Sequence, residues 1–190
     1  MNADSMTRVY LARYGRTALN ADGRLRGLSD PPLDEVGRAE VSRLADALAP
    51  RQPAAVVCSS LQRAVATGQA IGTAAGAPVT IDARLIDRDY GPVTGLRREE
   101  VEHRYGSVDS ASGVESRVAL ADRARRAFLG LVSEFIRGPL VLVSHDAFNT
   151  ALLAQLDPSL DQIGQRTACW NQLSLVEGVW QVDCYDVVAE

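Results

Sequence analysis

Lysine is missing from this chain: all 20 basic residues are arginine, set against 24 acidic ones, for a formal net charge of −4. That balance argues against nucleic acid or an anionic membrane surface as the main partner. Codon bias explains the arginine excess most simply, although guanidinium forks also suit bidentate contacts to phosphate. Cysteine is scarce. The three present, Cys58, Cys169 and Cys184, are odd in number and lack metal-type spacing, which predicts free thiols in a reducing compartment. No apolar run approaches the length of a membrane span. Residues 1–6 show no basic stretch leading into an apolar one, so no secretory signal is expected and a cytoplasmic location is the default. There is no P-loop, dinucleotide fingerprint or metal-ligand spacing, so neither cofactor nor metal is expected.

What is present is ordinary for a soluble globular protein: 46% hydrophobic and 23% charged residues over 190 positions. This predicts one domain, residues 1–190, with a full core. The stretch Arg8-Val9-Tyr10-Leu11-Ala12-Arg13-Tyr14-Gly15-Arg16-Thr17 reads as a buried strand that turns abruptly polar. An irregular polar loop over 16–30 follows. A helical pattern then carries Val36, Ala39, Leu44, Ala47 and Leu48 on one face and stops at Pro50. Strand 54–58 leads into a helix bearing Leu61, Ala64, Val65 and Ile71, with Ser59 or Ser60 as its cap. A short strand at 78–81, an Asp- and Gly-bearing loop over 82–95 and a charged helix at 97–105 come next. Ser112 and Glu115 have capping-box spacing before a long helix reaching about residue 136, with Val118, Ala121, Phe128, Val132 and Phe135 inward. Strand 140–143, a helix through Phe148, Leu152 and Leu156, and a hairpin turning at Glu177-Gly178 complete the chain. Strands alternating with helices predict an α/β fold: a three-layer α/β/α sandwich, mostly parallel, with the hairpin as an antiparallel edge.

Polar residues suited to anions follow three of these strands at once. Arg13 follows the first, Ser59, Ser60 and Arg63 the second, and His145 the strand ending at Val143. Parallel strands bring such ends to one sheet edge, where helix N-termini add N–H donors. The pattern predicts a concave, cation-rich pocket for a phosphate or carboxylate on a small substrate. Asp146, beside His145, would repel an anion unless it turned away to cap its helix. His103 reads as solvent-facing, and Trp170 and Trp180 as packing residues.

At these residues the chain resembles the histidine phosphatase, or phosphoglycerate mutase-like, superfamily. The resemblance rests on Arg13-Tyr14-Gly15-Arg16-Thr17, Asn20, Arg24, Gly27, Pro32-Leu33 and Gly37. It continues in Ser59-Ser60-Leu61-Gln62-Arg63-Ala64-Val65-Ala66-Thr67, Leu85-Ile86-Asp87 with Tyr90-Gly91 and Gly95, Gly113-Val114-Glu115-Ser116, and Ser144-His145. It implies a phosphoglycerate mutase-like fold over nearly the whole length. It also implies Arg13 and Arg63 as anion ligands, with Asn20, Thr17 and Arg24 as secondary contacts, His145 in the pocket, and Asp87 in the place of the family's proton donor. The short segment between Gly95 and Gly113, where the family carries a substrate-selecting lid, implies an open pocket nearer the phosphatase branch.

One position departs from the family. The residue that family members phosphorylate is the histidine between Arg and Gly, which here is Tyr14. A phenol ionises near pH 10, at a cost of roughly 4 kcal/mol at pH 7 before neighbouring cations help. Phosphohistidine turnover through residue 14 is thereby excluded. Tyr14 is a filler, a donor or acid–base group, or a covalent nucleophile; His145 is an anion donor or a general base. Asp87 is a proton donor or a turn-stabilising residue. The leading expectation is a repurposed enzyme that binds a small anionic substrate and uses Tyr14, Asp87 and His145 without a phosphohistidine. A non-catalytic pseudophosphatase that binds an anionic metabolite or partner, and a weak phosphomonoesterase, are the alternatives. A homodimer is compatible with the sequence.

Overall fold

The computed structural model describes residues 8–135 and 138–190. The expectations for residues 1–6 and for a helix end near residue 136 fall outside these. One six-stranded sheet runs through the structure in the order β3-β2-β4-β1-β5-β6. Its strands are β1 (Arg8–Arg13), β2 (Ala55–Cys58), β3 (Val79–Ile81), β4 (Leu140–Ser144), β5 (Trp170–Val176) and β6 (Val179–Val187). The first four are parallel to their neighbours among themselves, and β5 and β6 form the antiparallel edge. Among the described residues six helices accompany them: α1 (Ala18–Ala21), α2 (Glu35–Leu48), α3 (Gln62–Ala75), α4 (Arg98–Tyr105), α5 (Arg117–Glu134) and α6 (Asp146–Leu156).

Successive strand residues point to opposite faces, and the core divides accordingly. Val9, Leu11, Val57 and Leu142 pack under Phe128 and Phe148 of α5 and α6. Tyr10, Ala12, Val56 and Val143 pack under Leu44, Leu48 and Ile71 of α2 and α3. This is the expected three-layer α/β/α arrangement. The closing turn takes positive φ at Glu177 and Gly178, as a tight two-residue hairpin requires. Among the described residues no helix is long and apolar enough to cross a membrane, and Cys58, Cys169 and Cys184 are free thiols.

Several local expectations shift. Loop 16–30 contains the short helix α1, closed by a reciprocal cap between Thr17 and Asn20. Helix α2 buries Leu44 and Leu48 as expected, but with Gly37, Val41 and Ala45 in place of Val36, Ala39 and Ala47; Val36 is 44% exposed. Leu61 stands at the N-cap of α3 and supplies no side-chain cap, so neither Ser59 nor Ser60 serves there. Helix α5 is capped by Ser116, not Ser112, and buries Leu120, Ala124, Ala127, Phe128 and Leu131, leaving Val118 72% exposed.

The α2 shift has a steric cause. A Cβ on Gly37 would collide with the Arg16 carbonyl, and one on Gly15 would lie 2.6 Å from the Gly37 oxygen. Two glycines therefore let α2 approach the chain just beyond β1, which turns Val36 outward. Gly37→Ala is expected to lower stability by about 1–3 kcal/mol, read from the urea midpoint; an unchanged midpoint would contradict this contact.

Candidate active site

Parallel pairing aligns Arg13 with Ser144 across β1 and β4, and Cys58 with Val143 across β2 and β4. The residues that follow, Tyr14, Ser59 and His145, therefore leave the sheet side by side. All are fully buried, as is Arg63, with Asp87 at 3% exposure. Arg13, Tyr14, Arg63, Asp87 and His145 thus form one cluster.

Arg63 is its hub. Its Nη1 donates to the Ser29 carbonyl at 2.6 Å, and its Nη2 to the Gly27 carbonyl at 2.9 Å and to Asp87 Oδ2 at 3.2 Å. Its guanidinium carbon also lies 4.7 Å from the centre of the Tyr14 ring. Arg13 has its guanidinium carbon 5.5 Å from the centre of that ring. Its Nη1 donates to the Gln165 carbonyl and stands 3.6 Å from Asp146 Oδ2. The Tyr14 hydroxyl accepts from Arg26 Nε at 3.2 Å and from Asn20 Nδ2 at 3.5 Å. His145 places Nε2 2.7 Å from Ser59 Oγ and Nδ1 3.7 Å from Asp87 Oδ2. Its ring centre is 5.1 Å from that of Tyr14.

Where a concave anion pocket was expected, the buried Tyr14 ring packs near Arg13, Arg63 and His145. A groove of about 820 Å³ opens beside the cluster, lined by Tyr90, Asp109, Ala121, Asp146 and Thr150 among others, but not by Arg13, Tyr14, Arg63 or His145. The segment between Gly95 and Gly113 forms one wall of that groove through Arg98, Glu102, Ser107, Val108 and Asp109. Asp146 does not cap α6: its Oδ1 accepts from the Gln165 backbone N–H at 3.1 Å, and its other oxygen faces Arg13.

Two secondary contacts differ from expectation. Arg24 turns away, donating to Asp22 and to the Gly95 carbonyl. Arg26, two residues on, reaches the Tyr14 hydroxyl instead and was missed. Both flank buried Leu25, so alternation gives no means of choosing between them. Thr17 is buried and uses its hydroxyl to donate to Asn20 Oδ1 at 2.7 Å. It aims Asn20 at Tyr14 rather than meeting an anion itself. Ser60 is exposed.

Burial and nearby cations set the ionisation of these groups. For Tyr14, burial opposes ionisation, but Arg13, Arg26 and Arg63 together outweigh it and draw the phenol below its ordinary value near 10. For His145, burial and the surrounding cations Arg63, Arg13, Arg26 and Arg123 push the same way, well below 6.5, so the imidazole is neutral at pH 7. For Asp87, burial raises the carboxyl against the pull of Arg63 and Arg26. Among the described residues, the buried Nε groups of Arg13 and Arg63 and the Nδ1 of His145 lack hydrogen-bond partners.

A model of the histidine phosphatase superfamily (branch 1) matches residues 9–187. The chain belongs to the histidine phosphatase superfamily. A glucosyl-3-phosphoglycerate phosphatase of Mycolicibacterium vanbaalenii is 36% identical over 169 residues, covering 78% of this chain and 73% of that protein. Its counterpart from Mycobacterium tuberculosis is 33% identical over 195 residues, covering 88% and 85%. The solved structure of a mycobacterial glucosyl-3-phosphoglycerate phosphatase with VO3 superposes with a TM-score of 0.87 at 30% identity, over 95% of this chain and 99% of that one.

A neutral buried histidine leaves a mark on stability. Below pH 6.5 the unfolded chain binds a proton at residue 145 that the folded chain refuses, so stability falls as pH falls. The His145 contribution is expected to reach about 1.4 kcal/mol per pH unit in that range. Urea unfolding at about pH 7 and about pH 5 should show a smaller acid loss in His145→Gln than in the parent. An equal loss in both would mean that His145 is protonated in the fold.

Proposed function

We propose that this superfamily member acts on a small phosphate monoester without forming a phosphohistidine. Tyr14 stands where the family's phosphorylated histidine would be, and the reading rests on its surroundings. Its ring centre lies 5.5 Å from the Arg13 guanidinium carbon and 4.7 Å from that of Arg63, and Arg26 Nε donates to its hydroxyl at 3.2 Å. A phenol among three cations yields its proton more readily than an ordinary tyrosine, because the phenolate left behind is stabilised. Tyr14 accordingly serves as proton donor to the departing alcohol. Neutral His145 serves as general base, with Asp87 on its Nδ1 side. Arg13 and Arg63 carry the phosphoryl charge once a substrate shifts the phenol ring aside. The names of the mycobacterial relatives support a sugar- or glycerate-type phosphate as the substrate class.

A second reading, a non-catalytic anion binder, draws on a different observation. Both Arg63 Nη groups already donate to protein oxygens, at Ser29, Gly27 and Asp87. In that case phosphate binds without turnover.

Hydrolysis of glucosyl-3-phosphoglycerate and of p-nitrophenyl phosphate separates the two. Tyr14→Phe is expected to lower turnover by ~10²-fold. Tyr14→His is expected to hydrolyse aryl phosphate through an acid-labile phosphoenzyme that the parent lacks. An acid-labile phosphoenzyme in the parent would overturn the proposal. Phosphate binding by calorimetry with no turnover of either ester would leave only the binder.

A further inference from the structure

The proposed reaction leaves the attacking group open, and the cluster holds one hydroxyl already bonded to its base. Ser59 follows the last residue of β2, where the strand passes into α3. Its backbone N–H is fixed by the Val143 carbonyl at 2.9 Å. Its Oγ lies 2.7 Å from His145 Nε2, and the opposite ring nitrogen lies 3.7 Å from Asp87 Oδ2. A hydroxyl on the base nitrogen, with a carboxylate on the far side of the ring, is the arrangement that activates a serine. The Nδ1–Oδ2 separation exceeds a hydrogen bond, and such contacts often tighten only when substrate is bound.

The alternative is purely positional, with Ser59 fixing the imidazole orientation. Two features favour more than that. The ring is neutral, so Nε2 can accept the serine proton. The buried Nε–H groups of Arg13 and Arg63, unpartnered among the described residues, supply donors in the same cluster for the oxygens of a phosphoryl group. Cation charge offset by an incoming dianion would also return basicity to His145 when it is needed.

Resting on the reading of this site as a phosphomonoesterase, we infer that Ser59 is the nucleophile, with His145 as its base and Asp87 as the orienting carboxylate. Ser59 Oγ bonds to phosphorus as the bond from phosphorus to the ester oxygen breaks. The serine proton passes to His145 Nε2, and the departing alkoxide takes its proton from Tyr14, which His145 then restores. In the second step water bonds to phosphorus and gives a proton to His145. Ser59 leaves with that proton, freeing inorganic phosphate. Phosphoserine, unlike phosphohistidine, survives acid and is released by alkali, so the two routes leave different traces.

Acid-quenched enzyme turning over p-nitrophenyl phosphate is analysed by peptide mass spectrometry, and in parallel the protein is treated with phenylmethylsulfonyl fluoride. The expected result is an acid-stable phosphoryl group on residue 59, sulfonylation at the same residue, and loss of sulfonylation in His145→Gln. Ser59→Ala is expected to lower kcat by at least ~10²-fold, with Ser60→Ala unchanged. Turnover at the parental rate in Ser59→Ala, or full turnover with no phosphoryl group on residue 59, overturns the inference and leaves water as the attacking group. A protein that hydrolyses nothing yet is sulfonylated at Ser59 in a His145-dependent way refutes the phosphomonoesterase reading but supports the activated serine. Absence of both refutes both.

Discussion

A single buried ion pair, Arg63 with Asp87, sets the geometry of this protein's sheet edge. The guanidinium sits in the first turn of α3, and the carboxylate sits in the loop after β3. The same guanidinium also holds the Gly27 and Ser29 carbonyls of the loop that follows β1. Three chain segments distant in sequence are therefore pinned to one side chain. Neither partner is exposed, and leaving either charge alone in that interior would cost about 3–5 kcal/mol. The pair is a constraint before it is a source of stability, because it fixes where the cations around Tyr14 must lie.

The ionisation pattern follows from that placement. Burial disfavours charge on every group in the cluster, while the guanidinium charges act with opposite sign on acids and bases. For the phenol the cations win; for the imidazole the two effects add; for Asp87 burial wins despite the ion pair. The outcome is a phenol drawn below its ordinary value beside a neutral imidazole. Groups pushed apart in this way are what acid–base chemistry near neutral pH requires. The groove beside the cluster is lined in part by Asp146, whose carboxylate faces Arg13 of the cluster.

Much of this was readable in the residues. The alternation of apolar strands with amphipathic helices specifies the layered sheet, and a parallel sheet brings Arg13, Arg63 and His145 to one edge. Asp87 and Asn20 were reached through the family resemblance. The misses share a cause, which is close packing that sequence periodicity does not report. Gly37 reads as a weak helix residue, yet a backbone approach no side chain could tolerate rotates α2 about it. Ser116 displaces Ser112 as a cap because Glu115 is held by Arg123 and Arg88 before the helix begins. Arg24 and Arg26 are equivalent in pattern, and the path of the loop alone decides which one meets Tyr14.

If the phenol and a bound phosphate compete for the same guanidinium groups, each must alter the other's equilibrium by the same free energy. Ultraviolet titration of Tyr14, assigned by its loss in Tyr14→Phe, with and without saturating inorganic phosphate, measures that coupling. Tyr14 is expected to ionise below the ordinary tyrosine range in the free protein and at distinctly higher pH once phosphate is bound. Phosphate that binds yet leaves the Tyr14 titration unmoved would place the anion away from Arg13 and Arg63 and contradict the account.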